Sequence, residues 1–157
     1  MIFILTGEVH SGKSTALKAW LINRNKVGGF LSPDIENKRF IQSIKDDYII
    51  PFQVDASFEG EKLEIGPYIF DQNAFNQATD WTMNQMNDDE IDWIIIDELG
   101  KLELKEKGFY RLAKSILKNQ NSKHIIFVIR DFLVDDLVQL LSLKDAKIIK
   151  VNDLKEI

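Results

Sequence analysis

Near the start of the chain, nine consecutive residues combine glycine, lysine and hydroxyl side chains at a spacing suited to binding phosphate. Residues 7–15 read Gly-Glu-Val-His-Ser-Gly-Lys-Ser-Thr, which fits the pattern G-x-x-x-x-G-K-[ST]. Successive backbone N–H groups at the start of a helix can surround a chain of phosphate groups, and the lysine adds a positive charge. These residue types therefore predict a loop that binds a nucleoside triphosphate.

The pattern predicts a role for most positions of this loop. Gly7 and Gly12 suit backbone turns that a side chain would obstruct. Lys13 is expected to reach the β- and γ-phosphate oxygens, and the Ser14 hydroxyl is expected to ligate Mg²⁺. His10 fits either a donor to phosphate or a solvated spacer. The predicted nucleotide-binding residues of the loop are Gly7, Glu8, Val9, His10, Ser11, Gly12, Lys13, Ser14 and Thr15.

A second group of charged residues follows an apolar run later in the chain. Residues 92–96 read as a buried strand, and Asp97 and Glu98 come directly after it. A strand that is buried on both faces brings its last residues to the carboxyl edge of a parallel sheet, where ligands bind. We therefore expect Asp97 to hold the magnesium ion and Glu98 to orient or deprotonate an attacking water.

Phosphoryl transfer also benefits from a positive charge on the γ-phosphate, and the chain contains four arginines. Arg130 follows a strand predicted over residues 124–129, so it should reach the same edge of the sheet and is the first candidate for a catalytic arginine. Arg39 opens a hairpin predicted over residues 38–54 and is the second candidate. The other two arginines fit helix surfaces better. The sequence leaves the choice between Arg130 and Arg39 open.

The elements that would position these side chains alternate along the chain. Strands are predicted over residues 1–6, 67–70, 92–96, 124–129 and 147–151, and helices over residues 13–25, 72–87, 105–118 and 133–141. This alternation predicts the α/β fold of a P-loop NTPase, with a mostly parallel sheet sandwiched by helices. The hairpin over residues 38–54 turns at Asp46-Asp47, and Pro51 suits an edge strand, so it is predicted as an antiparallel insertion at one edge.

Composition limits the classes of protein that the chain can belong to. Its 157 residues, of which 45% are hydrophobic, predict a single domain over residues 1–157. A net charge of −5, with acidic and basic residues interspersed, gives no strong nucleic-acid signal. The absence of cysteine excludes disulfides, cysteine metal sites and a thiol nucleophile. No run approaches the ~20 apolar residues of a membrane helix, and the short apolar start has no basic leader, so we expect a cytoplasmic protein.

The residues that follow the apolar run at 92–96 carry a family resemblance. Residues 97–104 read Asp-Glu-Leu-Gly-Lys-Leu-Glu-Leu, which resembles the second signature of the THEP1 family of nucleoside-triphosphatases, Asp-Glu-Ile-Gly-Lys-Met-Glu-Leu. Further segments that resemble the family fall in the family's order, at residues 6–15, 28–33, 38–39 and 66–71.

The resemblance implies a small, Mg²⁺-dependent hydrolase of ATP, GTP and other nucleoside triphosphates, with broad base tolerance. It also implies that Gly100 and Lys101 belong to the nucleotide site, although Lys101 also fits an ordinary surface lysine at the start of a helix. The chain departs from the family in the loop, where Glu-Val-His-Ser replaces a stretch richer in proline and glycine. It departs again at residues 128–131, where Val-Ile-Arg-Asp stands in place of a Thr-Ile or Thr-Val step.

Three functions fit these residues. The first is hydrolysis of a nucleoside triphosphate to the diphosphate and phosphate, the second is a small-molecule or nucleotide kinase, and the third is a nucleotide-dependent regulatory binding module. Many kinases of this size close an arginine-rich lid over the substrate, and the chain has no arginine-dense segment. The sequence therefore favours hydrolysis and leaves the other two as alternatives.

Overall fold

The residues that the computed structural model describes, 1–120 and 122–157, form an eight-stranded sheet and a separate two-stranded hairpin. In chain order, the strands are β1 (Ile2–Gly7), β2 (Val27–Leu31), β3 (Asp34–Ile35), β4 (Lys38–Ser43), β5 (Ile49–Pro51), β6 (Lys62–Ile65), β7 (Tyr68–Asp71), β8 (Trp93–Leu99), β9 (His124–Arg130) and β10 (Lys147–Ile149). The helices are α1 (Lys13–Leu21), α2 (Gln72–Met86), α3 (Lys101–Leu104), α4 (Tyr110–Lys118) and α5 (Val134–Leu141), with 3-10 helices at Asp131–Leu133 and Val151–Glu156.

The order of strands across the large sheet is β10-β1-β9-β8-β2-β4-β3, and β5 also pairs with β4. The strands from β10 to β2 are parallel to their neighbours, whereas β3, β4 and β5 form antiparallel pairs at one edge. This arrangement confirms the predicted mostly parallel sheet with an antiparallel insertion at an edge. It also places β9 between β1, which leads into the glycine-rich loop, and β8, which carries the two carboxylates.

Helices cover both faces of the sheet because successive side chains of a strand point to opposite faces. On one face, Ile94 and Ile96 pack in a core that α2, α4 and α5 complete. On the other face, Ile95 packs with Leu17 of α1 and Leu154 of the last 3-10 helix. Burial on both faces explains why β8 and β9 read as unbroken apolar runs.

Aromatic rings join the insertion between β2 and α2 to the main core. The ring of Phe52 lies 4.5 Å from that of Phe70 and 4.7 Å from that of Phe75, measured between centroids. Phe75 in turn lies 4.7 Å from Phe109, which precedes α4. Such distances are typical of favourable aromatic contacts, so the insertion shares its core with the helices that cover the sheet.

The predicted elements are present, and several of their ends differ from the prediction. The helix predicted over residues 13–25 ends at Leu21, and β8 continues past residue 96 to Leu99. The helix predicted over residues 105–118 begins only at Tyr110, because the chain first forms α3 and then turns at Gly108, whose φ is +60°. The first strand of the β6–β7 hairpin was not predicted, because it lies in a segment rich in turn residues. No helix among the described residues is long and apolar enough to cross a membrane.

Gly29 lies where β2 passes close to β8. Its φ is +89°, and a Cβ atom there would lie 2.0 Å from the carbonyl oxygen of Ile95. Gly29→Ala is therefore expected to lower the free energy of unfolding by about 3–5 kcal/mol, which urea unfolding measures. Gly66→Ala is the matched control, because Gly66 also has a positive φ of +55° but has nothing within 4 Å of its Cβ position. We expect about 1 kcal/mol there, and equal losses in the two variants would contradict the role of the close contact.

Candidate nucleotide site

The chain between β1 and α1 forms a tight loop at the carboxyl edge of the sheet. Gly12 has φ +84° and no atom within 4 Å of its Cβ position, so the backbone conformation is what favours glycine there. Gly7 is different, because a Cβ atom would lie 2.5 Å from the Ser11 hydroxyl. His10 also has a positive φ, of 62°, and is exposed at the tip of the loop together with Val9.

The ammonium group of Lys13 is held inside this loop. Its Nζ donates hydrogen bonds to the carbonyl oxygens of Gly7, at 3.0 Å, and Glu8, at 2.8 Å, and to the Ser11 hydroxyl at 3.3 Å. Lys13 is only 8% exposed, so its charge faces the interior of the loop. Ser14, in the first turn of α1, is exposed. The loop thus combines a buried positive charge with a hydroxyl group that remains accessible.

Asp97 places a buried carboxylate at the end of β8. It is 3% exposed, and its Oδ2 accepts a hydrogen bond from the backbone N–H of Ser32 at 3.0 Å. Burial is the main cause that raises the pKa of Asp97 to about 6, and the negative charge of Glu98 acts in the same direction. The Ser32 N–H and the charges of Arg39 and Lys13 oppose this rise. A divalent cation next to Asp97 would offset the energetic cost of burying its negative charge more fully than these three groups do.

The Ser14 hydroxyl and the Asp97 carboxylate fit Mg²⁺ better than a metal ion whose ligands must all come from protein side chains. Mg²⁺ prefers oxygen ligands, keeps several waters and is usually bound by one or two protein groups together with substrate phosphates. Ser14 and Asp97 offer such oxygens at the same edge of the sheet. Within residues 1–120 and 122–157 there is no cluster of three or more acidic or histidine side chains that could enclose a metal ion.

Glu98 and Arg130 form an ion pair beside Asp97. The Arg130 Nε lies 2.9 Å from the Glu98 Oε1, and the side chains are 32% and 22% exposed, respectively. The pairing of β8 with β9 shifts between Asp97 and Leu99, so Glu98 occupies a bulge. Bulges redirect side chains, often next to active sites. In the pairing of β1 with β9, Arg130 lies opposite Gly7, so the ion pair lies at the edge of the sheet where the loop begins.

Arg39 is linked to the carboxylate of Asp97 through the backbone of Ser32. Its Nη1 donates to the Ser32 carbonyl oxygen at 2.9 Å, while the Ser32 N–H donates to Asp97. Sequence reasoning did not single out Ser32, because its contribution comes from backbone groups. The two candidate arginines therefore occupy different places, with Arg39 bound to the segment beside Asp97 and Arg130 bound to Glu98.

Gly100 and Lys101 lie just after β8, where a buried glutamate fixes the backbone. Glu103 is 3% exposed, and its carboxylate accepts hydrogen bonds from the backbone N–H groups of Gly100, at 2.8 Å, and Phe109, at 3.0 Å. Burial raises the pKa of Glu103, and these two donors oppose the rise. The Lys101 side chain is exposed. Glu103 was missed at the sequence level, although its position three residues after Gly100 matches the spacing of a capping interaction.

The fold and the site together define a class of protein. A parallel α/β sheet carries a glycine-rich loop with a buried lysine after one strand and an Asp-Glu pair at the end of another, which is the arrangement of P-loop nucleoside-triphosphatases. A family model described as NTPase matches residues 2–155. The chain belongs to the THEP1 family of nucleoside-triphosphatases.

Known proteins resemble the chain along most of its length. The nucleoside-triphosphatase THEP1 of Saccharolobus solfataricus is 30% identical over 129 residues, which are 74% of this chain and 69% of that protein. The crystal structure of THEP1 from the hyperthermophile Aquifex aeolicus has a TM-score of 0.77 and 24% identity, covering 99% of this chain and 96% of that chain. The solution structure of a human cancer-related nucleoside triphosphatase has a TM-score of 0.71 and 18% identity, covering 98% and 93%.

The family match confirms the resemblance that residues 97–104 carry, and it identifies the chain as an NTP phosphatase. The two solved structures have low sequence identity and confirm the fold alone. The roles of individual residues therefore depend on the geometry of this site.

Proposed function

We propose that the protein hydrolyses nucleoside triphosphates to the diphosphate and phosphate, that it does so with Mg²⁺, and that it accepts different bases. One observation carries the proposal: the Glu98–Arg130 ion pair joins the residue next to the buried Asp97 to the residue opposite Gly7, where the loop that holds Lys13 begins. A carboxylate and a guanidinium at this edge of the sheet would be available to the γ-phosphate of a loop-bound triphosphate and to its attacking water.

Different residues of the site would bind the phosphates, coordinate the metal and activate the water. The backbone N–H groups of residues 7–15 and the Lys13 ammonium would bind the β- and γ-phosphates. Ser14 and Asp97 would hold Mg²⁺, which when bound neutralises charge on the phosphate oxygens. Gly100, whose N–H is already bound to Glu103, and the exposed Lys101 would border the site on the side of α3.

Glu98 is the group that would orient or deprotonate the water. Its Oε1 lies 2.9 Å from the Arg130 Nε, and a carboxylate has further lone pairs that can accept a hydrogen bond from water. The side chain is 22% exposed, so solvent water reaches it. Hydrolysis needs no second organic substrate, and the proposal therefore requires no acceptor site beyond this water.

Broad base tolerance follows from which part of the nucleotide these residues serve. Lys13, Ser14, Asp97, Glu98 and Arg130 all act on phosphate, metal or water. A site that concentrates its charge-assisted contacts on the phosphates binds ATP and GTP through the same groups. We therefore expect ATP and GTP to be hydrolysed with similar efficiency.

A turnover panel of nucleoside triphosphates with Mg²⁺, run without an acceptor, tests the proposed function. Phosphate release should be proportional to enzyme concentration for both ATP and GTP, and chelation of the metal should stop it. Release that starts only after an alcohol or phosphate acceptor is added would support the kinase alternative. Binding to a partner protein that depends on nucleotide, without turnover, would support the regulatory alternative.

Asp97→Asn is expected to raise the Mg²⁺ concentration needed for half-maximal turnover by about tenfold or more, because a metal ligand loses its charge. The free energy of unfolding should not fall, since burial raises the pKa of Asp97 to about 6 and the fold does not favour its charged form. Initial rates over a Mg²⁺ titration, together with urea unfolding without metal, measure both effects. Asp55→Asn, at an exposed aspartate, is the control, and an unchanged Mg²⁺ requirement in Asp97→Asn would contradict the metal assignment.

A further inference from the structure

The phosphate loop has a different strand on each side of it in the sheet. β1, which leads into the loop, lies between β9 and β10, and β8 with its two terminal carboxylates lies beyond β9. On the other side, Ile149 of β10 pairs with Leu5, and Val151 follows Ile149 by two residues as Gly7 follows Leu5. Residues 150–153, which we call the β10 segment, therefore flank the start of the loop on the side away from those carboxylates.

Contacts within the segment and with the core hold the β10 segment beside the loop. The Asp153 Oδ2 accepts a hydrogen bond from the backbone N–H of Lys150 at 2.9 Å, which closes the turn. The next residue, Leu154, is 2% exposed and packs in the same core as Leu17 of α1, the helix that begins in the loop. Asn152 lies between these anchors and is exposed. The segment thus offers a carboxamide on a backbone that is already held in place, which lowers the entropic cost of binding.

The proposed position of the γ-phosphate determines on which side of the loop the nucleoside would lie. A triphosphate is a chain with the γ-phosphate at one end and the ribose and base at the other. Lys13 and the N–H groups of the loop would bind the middle of this chain, and Glu98 would act at its γ end, on the β9 side. The nucleoside would therefore leave the loop on the opposite side, toward the β10 segment.

We propose that the β10 segment is the nucleoside subsite, in which the Asn152 amide binds the edge of the base and the half-buried Val151 contacts its face. The inference rests on the proposed hydrolytic function. A carboxamide carries both an acceptor and donors. Adenine presents a donor beside an acceptor on its pairing edge, guanine presents an acceptor beside a donor, and the amide matches either one by rotating. Asn152 thus adds affinity for a nucleoside without choosing between the bases.

Other groups at this end of the molecule fit the role less well. The Lys150 ammonium has donors and no acceptor, so it cannot match both bases. A cavity of about 220 Å³ is lined by Lys38, Val54, Asp55, Ser57 and Phe58. It lies at the start of β4, which β9, β8 and β2 separate from β1. This cavity is therefore beyond the γ end of the triphosphate, where the nucleoside would not reach.

Asn152→Asp tests the contact with the base edge by removing the donors and keeping the shape. A carboxylate only accepts hydrogen bonds, and guanine offers it two adjacent donors where adenine offers one. The variant is therefore expected to raise the affinity for GTP relative to ATP by about tenfold, measured by calorimetric titration with non-hydrolysable analogues. Asn25→Asp is the matched control, because it adds the same charge at an exposed position between α1 and β2. It should keep the parent ratio.

Asn152→Ala separates a contact with the base from a merely structural role. It should weaken binding of ATP and GTP analogues by about 3–10-fold each, the range of one or two hydrogen bonds. Inorganic tripolyphosphate, which has no nucleoside, should bind as it does to the parent. Urea unfolding of the variant should match the parent, since the side chain is exposed.

Three outcomes would overturn the nucleoside subsite. These are a parent-like ratio of GTP to ATP affinity in Asn152→Asp, the same change of ratio in Asn25→Asp, or an equal loss for tripolyphosphate and nucleotides in Asn152→Ala. Failure of the proposed function has a different signature, because the parent itself would then release no phosphate without an acceptor. The affinity ratios would still test the subsite in that case, since they require binding alone.

Discussion

Replacing Glu98 by glutamine is expected to lower kcat by about 10²–10⁴-fold, the range that general acid–base groups contribute, while the affinity for nucleoside triphosphates changes little. Glutamine has nearly the same shape, but its amide is not a base and cannot form an ion pair with Arg130. The loop, Lys13 and the oxygens of Ser14 and Asp97 that we propose as metal ligands remain unchanged, so the triphosphate should still bind. The result would be an enzyme that holds its substrate and turns it over very slowly.

Steady-state phosphate release and equilibrium titration with a fluorescent nucleotide measure the two halves of this prediction. Glu106→Gln is the matched control, because Glu106 is exposed in the turn after α3 and lies outside the proposed site. It should retain both the kcat and the affinity of the parent. If Glu98→Gln hydrolyses as fast as the parent, Glu98 does not position the water, and another group must do so.

The position of Glu98 could be predicted from the sequence because of one physical feature, the apolar run that precedes it. Ile94, Ile95 and Ile96 are each fully buried, and a strand buried on both faces has to deliver its next residues to the edge of the sheet. The same reasoning predicted that Arg130 follows a buried strand over residues 124–129, and in the structure it is the last residue of β9. The glycine-lysine pattern located the loop, because binding phosphate with backbone N–H groups demands these residue types at this spacing.

The order of the strands could not be predicted in the same way. An apolar run shows that a strand is buried, and it carries no information on which strand pairs with it. The insertion of β9 between β1 and β8 is what brings Arg130 between Gly7 and Glu98. The sequence also left open whether Arg130 or Arg39 acts on the phosphates, because it gives no information on this order.

Contacts made by backbone groups were the other part that the sequence did not reveal. Asp97 accepts a hydrogen bond from the N–H of Ser32, which lies 65 residues earlier in the chain. Every residue type except proline supplies such an N–H, so the identity of Ser32 gives little signal. Glu103 acts through backbone groups as well, but its own carboxylate is required, and the spacing from Gly100 could have identified it.

Lys13→Ala is expected to weaken binding of triphosphates and diphosphates by about 10–100-fold, because a charge-assisted hydrogen bond contributes about 1.5–3 kcal/mol. The monophosphate, which has no β- or γ-phosphate, should bind as it does to the parent. The fold should survive the change, since Gly7 is only half-buried and Glu8 exposed, and water can donate to the two carbonyl oxygens that Lys13 now binds.

Isothermal titration calorimetry with tri-, di- and monophosphates measures this loss, and urea unfolding shows whether the variant is folded. Lys18→Ala is the matched control, because Lys18 is exposed in the last turn of the same helix, α1. Equal weakening for all three nucleotides would point to a distorted loop and against a direct contact with the β- and γ-phosphates. The buried ammonium of Lys13 is the charged group that this loop offers to phosphate. If a folded Lys13→Ala variant binds triphosphates as tightly as the parent, residues 7–15 do not bind the phosphates as we propose.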